Sequence, residues 1–239
     1  MRMKNNNVSL FNLAGLVKLV GLVWLVSLGF TSCSEKSSEW DPYYSWESRN
    51  TLWFAEVADS ARTAIAEAKA QYGDEWEKHC QWRIIQDWRQ NSGIQGSLTD
   101  SIICKIVSSE PSKPGTVKDS VNYTDYVQLH YRAWLMPSEY ISEDNVTKEE
   151  KMVVFSQSFY GDFNPATAVP VTMSVEGLIP GFQTALQNMA RGDKWYVYMP
   201  QQLAYGEEAS SAVPAYSTLL YLIDLVGIYN TEDDVPDWK

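Results

Sequence analysis

Apolar positions along this chain change their period twice, and each stretch predicts a different kind of structure. After Arg2, Lys4 and the run Asn5 to Asn7, the sequence is almost unbroken apolar material up to Phe30, interrupted by Lys18. Leu19 to Phe30 is a basic-led apolar core of twelve residues, short for a spanning helix and suited to a signal peptide over 1–32. From Thr51 the period turns helical. Trp53, Val57, Ala61, Ala64, Ala68 and Tyr72 form a stripe widened by Phe54, Ala58 and Ile65, and Gly73 stands where such a helix stops. Asp74 followed by Glu77 predicts a capping box and a second, shorter helix with Trp76, Cys80, Ile84 and Trp88 on one face. Asn91-Ser92-Gly93 and Gly96-Ser97 then break the pattern, which places a helical module at 51–98 behind a tether at 33–50.

Beyond Thr99 the texture is that of strands. Ile102 to Val107 is a short apolar run. Tyr126 to Trp134 alternates, with Val127, Leu129, Tyr131 and Ala133 on one face and Tyr126, Gln128, His130, Arg132 and Trp134 on the other. Ser138 to Lys151 reads as a charged loop. Strands are expected near Val153 to Phe155, Val169 to Val175, Lys194 to Met199 and Thr218 to Ile228. A helix from Gly181 to Met189 buries Phe182, Ala185, Leu186 and Met189 and stops at Gly192. A long irregular loop, Pro200 to Ser217, separates the last two strands, and residues 231–239 form an acidic tail. Many strands with one late buried helix predict an α+β domain, a sheet wrapped over a helix.

In the last two strands Trp195, Val197, Met199, Leu219, Tyr221, Ile223 and Leu225 share the face toward that helix. Their opposite face carries Tyr196, Tyr198, Leu220 and Leu222, which a monomeric domain rarely exposes. The Trp53 stripe is an apolar face with no partner of its own. Docking of one on the other is the expected answer, and a homodimer is the other way to cover the same patch.

Charge and chemistry narrow the function. A formal net charge of −11 and a pI near 4.6 argue against wrapping nucleic acid, which needs clustered cations. Removing 1–32 takes away Arg2, Lys4 and Lys18 and no carboxylate, so the remainder is more acidic still. The cysteine at Thr31-Ser32-Cys33, followed by a polar run, resembles a bacterial lipobox, although Phe30 stands where such motifs usually carry Leu. Lipid on Cys33 would tether the chain to the cell envelope with two acyl chains, enough for stable anchoring; an uncleaved anchor is the alternative. Cys80 and Cys104 are then left, either as a disulfide or as two buried small side chains. With His79 and His130 the only histidines, no metal site or other cofactor is expected, and neither histidine has a Ser or Cys at a nucleophile-and-base spacing. What the C-terminal half offers is apolar and aromatic material at strand ends and turns, the make-up of an apolar pocket.

Several motifs in register sharpen this. Gly177-Leu178-Ile179-Pro180-Gly181-Phe182, then Gly192-Asp193-Lys194, Leu203-Ala204-Tyr205-Gly206, Val213-Pro214 and Ser217-Thr218-Leu219, with His130-Tyr131 upstream, resemble the motifs of FKBP-type peptidyl-prolyl cis-trans isomerases over about residues 99–230. The resemblance implies a pocket floored by Phe182, where the family usually has Trp, with Tyr131, Phe155, Val169, Leu178, Ile179, Val213 and Tyr221 as walls. It further implies that Tyr205 offers its hydroxyl to a carbonyl of the bound peptide and that the Ile179 backbone N–H holds another. Three positions depart from the pattern: Ser156 replaces an acidic residue, Val169 an aromatic one, and Tyr221 a Phe. Losing the carboxylate leaves the Tyr131 hydroxyl in need of another acceptor, at a cost of about 1–3 kcal/mol if it finds none. The function implied is rotation of X-Pro bonds in exported polypeptides. The rivals are a non-catalytic proline-peptide binding or chaperone module, which Ser156 and Val169 favour, and a structural subunit of a cell-envelope complex.

Overall fold

The structure, a computed structural model, describes residues 41–90, 96–109, 120–141 and 148–237. The chain divides into Met1–Asp41 and Pro42–Lys239, and every element below belongs to the second unit. Cys33 and the expected signal peptide lie outside the described residues, as does Asn91-Ser92-Gly93.

The first element is a helix of 27 residues, α1, over Trp46–Tyr72. It is rich in alanine, free of Gly and Pro, and carries Glu47 in its first turn and Lys69 in its last, each suited to the helix dipole. Its stripe is Phe54, Ala58, Ala61 and Ala68, all buried, flanked by the half-buried Trp53, Val57, Ala64 and Ile65, while Tyr72 is exposed. Gly73 ends it at φ 56, the left-handed region that a Cβ disfavours, with its N–H on the Lys69 carbonyl. The helix starts five residues earlier than Thr51, so the end of the expected tether is helical. Trp46 and Asn50 are anchored by distant residues, a cause that local periodicity does not carry.

The expected second helix is corrected. Gly73–Glu75 is a 3-10 turn, only Trp76–His79 is α-helical (α2), and Asp74 makes no side-chain cap. Cys80 is already extended, and Trp82–Gln86 is a strand, β1, paired antiparallel with Ser101–Ser108, β2. Trp82 and Ile84 pack toward α1 and Ile85 toward the main core, so the strand is apolar on both faces and shows no alternation. The sheet therefore begins before Thr99, and the expected boundary at 98/99 falls between its first two strands. A capping box does occur nearby, between Ser97 and Asp100.

The remaining strands are Tyr126–Leu135 (β3), Ser138–Ile141 (β4), Lys148–Lys151 (β5), Val154–Gln157 (β6), Val171–Ser174 (β7), Lys194–Met199 (β8) and Leu219–Tyr229 (β9), with helix α3 over Pro180–Asn188. The main sheet runs β1-β2-β8-β9-β3-β6, all antiparallel, and β7 also pairs with β3. Part of the predicted charged loop is a separate hairpin, β4 with β5. The core lies where α3 fills the curve of the sheet: Phe182, Ala185, Leu186 and Met189 meet Trp195, Val197, Met199, Leu219, Tyr221, Ile223 and Leu225. Gly181 is required there, because a Cβ would stand 2.9 Å from the Met199 side chain and 3.1 Å from the Leu203 carbonyl. The acidic tail turns back onto the sheet, where the Pro236 carbonyl accepts from Gln128 at 3.1 Å.

On the other face of the sheet α1 covers Ile103 and Tyr198, with Trp53 edge-on to the Tyr198 ring at 5.7 Å. The expected docking is thus seen at Tyr198, while Tyr196 and Leu222 stay half-exposed. Cys80 and Cys104 are free and buried, and burial pushes the Cys104 thiol up. The disulfide alternative is set aside.

His130 is buried on β3, edge-on to Phe163 at 5.0 Å and near the Lys194–Asp224 ion pair of 3.1 Å. Burial lowers its pKa, Asp224 raises it and Lys194 lowers it, and the net direction is down. An unfolded chain then takes up a proton near pH 6.5 before the folded one does, so stability is full above that pH and declines as pH falls through it. A thermal series from pH 7.5 to 5.5 is expected to show that decline, and His130→Gln to flatten it.

Candidate functional site

Tyr221, on the inner face of β9, is the centre of an aromatic cluster. Phe182 from the first turn of α3 meets it edge-on at 5.1 Å, Phe155 of β6 edge-on at 5.8 Å, and Tyr131 of β3 tilted at 6.1 Å. β9 lies next to β3 and β3 next to β6, so pairing alone brings three strands' inward residues together. Phe182, Tyr221 and Val213 are buried, while Tyr131, Phe155, Leu178 and Ile179 are half-buried around them. The result is an apolar aromatic floor with a partly open rim.

The rim is held by backbone chemistry. Ile179 caps α3 in extended conformation with Pro180 at the first helical position, and its carbonyl accepts from Phe182 and Gln183. Among the described residues its N–H donates to no acceptor, so that donor is available beside the floor. Gln183 is buried, and its amide donates to the Val175 and Glu176 carbonyls at 3.2 and 3.0 Å while its oxygen accepts from Trp88 at 3.2 Å. It ties α3 to the turn that carries Leu178 and Ile179. The glutamine sits among apolar neighbours in sequence, and nothing in that pattern announces this positioning role.

The phenols carry the polar content. The Tyr131 hydroxyl lies 2.8 Å from Ser156 Oγ, so Ser156 supplies the hydrogen-bond partner that Tyr131 was expected to need. Burial pushes the Tyr221 hydroxyl far above its ordinary range, helped by the neighbouring Tyr205 and Tyr131. It stays a neutral donor throughout the physiological range. Tyr205 stands at the edge, 45% exposed, on the loop that ends at Gly206. Its hydroxyl joins the floor to solvent, where a peptide carbonyl would arrive.

Val169 is not part of this cluster. It is 59% exposed beside Phe159 and Tyr160, because the turn closed by Ala168 N–H on the Asn164 carbonyl puts Ala168 inward and its neighbour outward. Val171, two residues on, is the one that packs on the core.

A second group of residues, not foreseen as site residues, fixes the loop behind Val213. Trp46 Nε1 donates to Ser217 Oγ at 2.8 Å, and Ser217 Oγ donates to the Pro214 carbonyl at 2.6 Å. Asn50 Oδ1 accepts from the Thr218 N–H at 2.7 Å, and its own amide donates to the Trp46 carbonyl at 2.8 Å. Tyr216, held at φ 62, donates its N–H to the Gly206 carbonyl at 2.8 Å, which links this segment to the Tyr205 turn. All four of Trp46, Asn50, Ser217 and Thr218 are buried. The first turns of α1 thereby become part of the wall of the site.

Parts of this chain match known proteins. Residues 118–226 match the profile of the family described as FKBP-type peptidyl-prolyl cis-trans isomerase. The chain is similar to the FKBP-type 22 kDa peptidyl-prolyl cis-trans isomerase of Escherichia coli K12, 41% identical over 28% of this chain and 33% of that protein. It is also similar to the peptidyl-prolyl cis-trans isomerase Mip of Coxiella burnetii, 29% identical over 51% of each. This chain thus spans at most about half the length of the curated relatives it matches. Among solved structures, FkpA from Escherichia coli aligns with 19% identity and a TM-score of 0.39 over 90% of this chain and 82% of that one.

Proposed function

With an FKBP-type peptidyl-prolyl cis-trans isomerase domain in residues 118–226, we propose that this chain accelerates rotation about X-Pro bonds in exported polypeptides, from a position tethered to the cell envelope by lipid on Cys33. The observation that carries the catalytic part is the Tyr221-centred floor: buried, aromatic and uncharged, with the Tyr131 and Tyr205 hydroxyls and the Ile179 N–H at its rim.

Rotation about a peptide bond destroys its double-bond character and meets a barrier of about 18–20 kcal/mol. Water opposes it, since hydrogen bonds to the imide carbonyl favour the planar, charge-separated form. A proline ring set on Phe182 and Tyr221 leaves that solvent, and the rim holds the flanking carbonyls through the Ile179 N–H and the Tyr205 hydroxyl. Interactions that fit the twisted bond better than the planar one lower the barrier without a nucleophile or a base.

A protease-coupled assay on proline tetrapeptides tests this with the full chain. A rate above the uncatalysed one is expected, lowered severalfold by Tyr205→Phe, which keeps the ring and removes the hydroxyl. Ser156→Asp restores a carboxylate opposite Tyr131 and is expected to raise the rate or leave it unchanged. Saturable binding of the peptide with no rate enhancement would favour the non-catalytic binding reading, for which Ser156 is the specific observation. Absence of both binding and rate would favour the structural subunit.

Export and anchoring rest on the Thr31-Ser32-Cys33 pattern and the apolar segment before it. Cys33→Ser is expected to leave the protein unprocessed or released from the membrane fraction. A Cys33→Ser protein that remains membrane-bound at normal mature mass would remove the lipid from the proposal.

A further inference from the structure

Trp88 follows β1 closely and lies outside residues 118–226, the part of the chain that matches the isomerase family. It nevertheless meets the start of α3 with both of its N–H groups. The indole Nε1 donates to Gln183 Oε1 at 3.2 Å, and the backbone N–H donates to Thr184 Oγ1 at 3.4 Å. That hydroxyl donates in turn to the Pro180 carbonyl at 2.9 Å. Gln183 and Thr184 are buried, whereas Trp88 is 40% exposed and belongs to neither apolar core.

Two supports hold the 3-10 turn Val175–Gly177 that leads into Leu178 and Ile179, and Trp88 touches both. One is Gln183, whose amide nitrogen has two hydrogens for the two carbonyls it meets, those of Val175 and Glu176. With the indole on its oxygen, that amide has one orientation that satisfies every partner. The other support is the turn at 122–125. Its Asp125 carbonyl accepts from the Val175 N–H at 3.0 Å, and the buried Asp125 carboxylate braces the turn by accepting from the Asn122 N–H at 2.7 Å. The Trp88 ring lies against Tyr123 of the same turn, with centroids 5.0 Å apart. Trp88 is itself placed by contacts that do not involve α3: the buried Asp87 accepts from the Arg89 guanidinium, and the Asp87 N–H donates to the Asp100 carbonyl at 2.8 Å.

We propose that Trp88 is a positioning residue of the isomerase site, which by orienting Gln183 sets the turn that presents the Ile179 N–H to a bound peptide. The proposal rests on the isomerase reading above. A flanking carbonyl held by that N–H is held in the planar and the twisted forms alike, so a loosened turn weakens both equally. Such a loss raises KM and leaves kcat nearly unchanged.

Trp88→Phe in the full chain keeps a ring against Tyr123 and removes the indole donor. It is expected to raise KM for a proline tetrapeptide about threefold or more, with kcat within about twofold of the unsubstituted protein. Gln183→Met is expected to raise KM as well, and adding Trp88→Phe to it to change KM no further, because the tryptophan acts through that amide. Amide hydrogen exchange gives a readout that does not depend on turnover. The Val175 and Leu178 N–H groups, bonded to the Asp125 and Val175 carbonyls, are expected to exchange about tenfold faster in Trp88→Phe, while Val197 and Ile223 in the sheet keep their rates. An unchanged KM, or exchange at Val175 and Leu178 that stays the same or rises only together with the sheet, would overturn the role of Trp88 while turnover by the unsubstituted chain keeps the isomerase reading. A double-variant KM equal to the product of the two single effects would overturn the route through Gln183. An unsubstituted chain without turnover would remove the isomerase reading, and the proposal with it.

Discussion

A chain truncated to begin at Thr99 is expected to melt at least about 10 °C below one that begins at Ser34, or not to fold at all. The truncation removes Trp46 and Phe54, whose side chains are 7% and 4% exposed. Burying each contributes about 1.5–3 kcal/mol, and each kcal/mol is worth about 2–4 °C in a domain of this size. It also strips β1 from β2 and uncovers Ile103 and Tyr198. Beyond stability, it removes the acceptor of the Thr218 N–H and the donor to Ser217, and with them the fixed course of the loop between Tyr205 and Thr218. Asn50→Ala isolates that last effect. It leaves one buried N–H unpaired, a cost of about 1–3 kcal/mol, and is expected to raise KM for proline peptides more than it lowers kcat. Thermal unfolding, gel filtration and the isomerase assay read these out. Equal melting temperatures and monomeric behaviour for both chain lengths would refute the docking.

That result also bears on what the sequence could disclose. The inward faces of β8 and β9, the α3 stripe and the stop at Gly73 were legible because each is local: a period of two or of 3.6, or one residue type at one turn. β1 was not, because Ile84 and Ile85 are both packed, one on each face, and a short apolar run has the same appearance in a helix and in a strand. Its strand character comes from β2, about twenty residues further on. The site divides in the same way. Motifs placed Phe182, Ile179, Tyr205 and Val213 in order along the chain, and the rings of Tyr131, Phe155 and Tyr221 meet because their strands are neighbours. Val169 followed from the same register and proved to point outward, since a turn from Asn164 resets the alternation just before it. The Ser156 partner of Tyr131 and the hold of Trp46 and Asn50 on the loop are contacts between side chains far apart in sequence, and no spacing encodes them.

Phe182→Ala is expected to give the largest loss from any single substitution at the site. Phe182 is 3% exposed and meets Tyr221 edge-on at 5.1 Å, so truncation leaves a cavity under the floor and costs about 3–5 kcal/mol of stability. The catalytic loss has a separate origin. In the proposed function the proline ring rests on the surface that Phe182 and Tyr221 make together, and a floor that sinks would let water back to the imide carbonyl and restore the planar form's advantage. A fall in kcat/KM of tenfold or more, equivalent to about 1.4 kcal/mol or more of lost transition-state binding, is therefore expected. Near-UV circular dichroism at the assay temperature separates the two effects by reporting whether the variant is still packed. Phe182→Trp supplies the larger ring that the family usually carries at this position, and is expected to keep activity within a fewfold of the unsubstituted protein while straining a closely packed core by about 1–3 kcal/mol. A packed Phe182→Ala protein with undiminished kcat/KM would mean that the proline ring does not rest on this floor, and the site would then have to be sought outside the Tyr221 cluster.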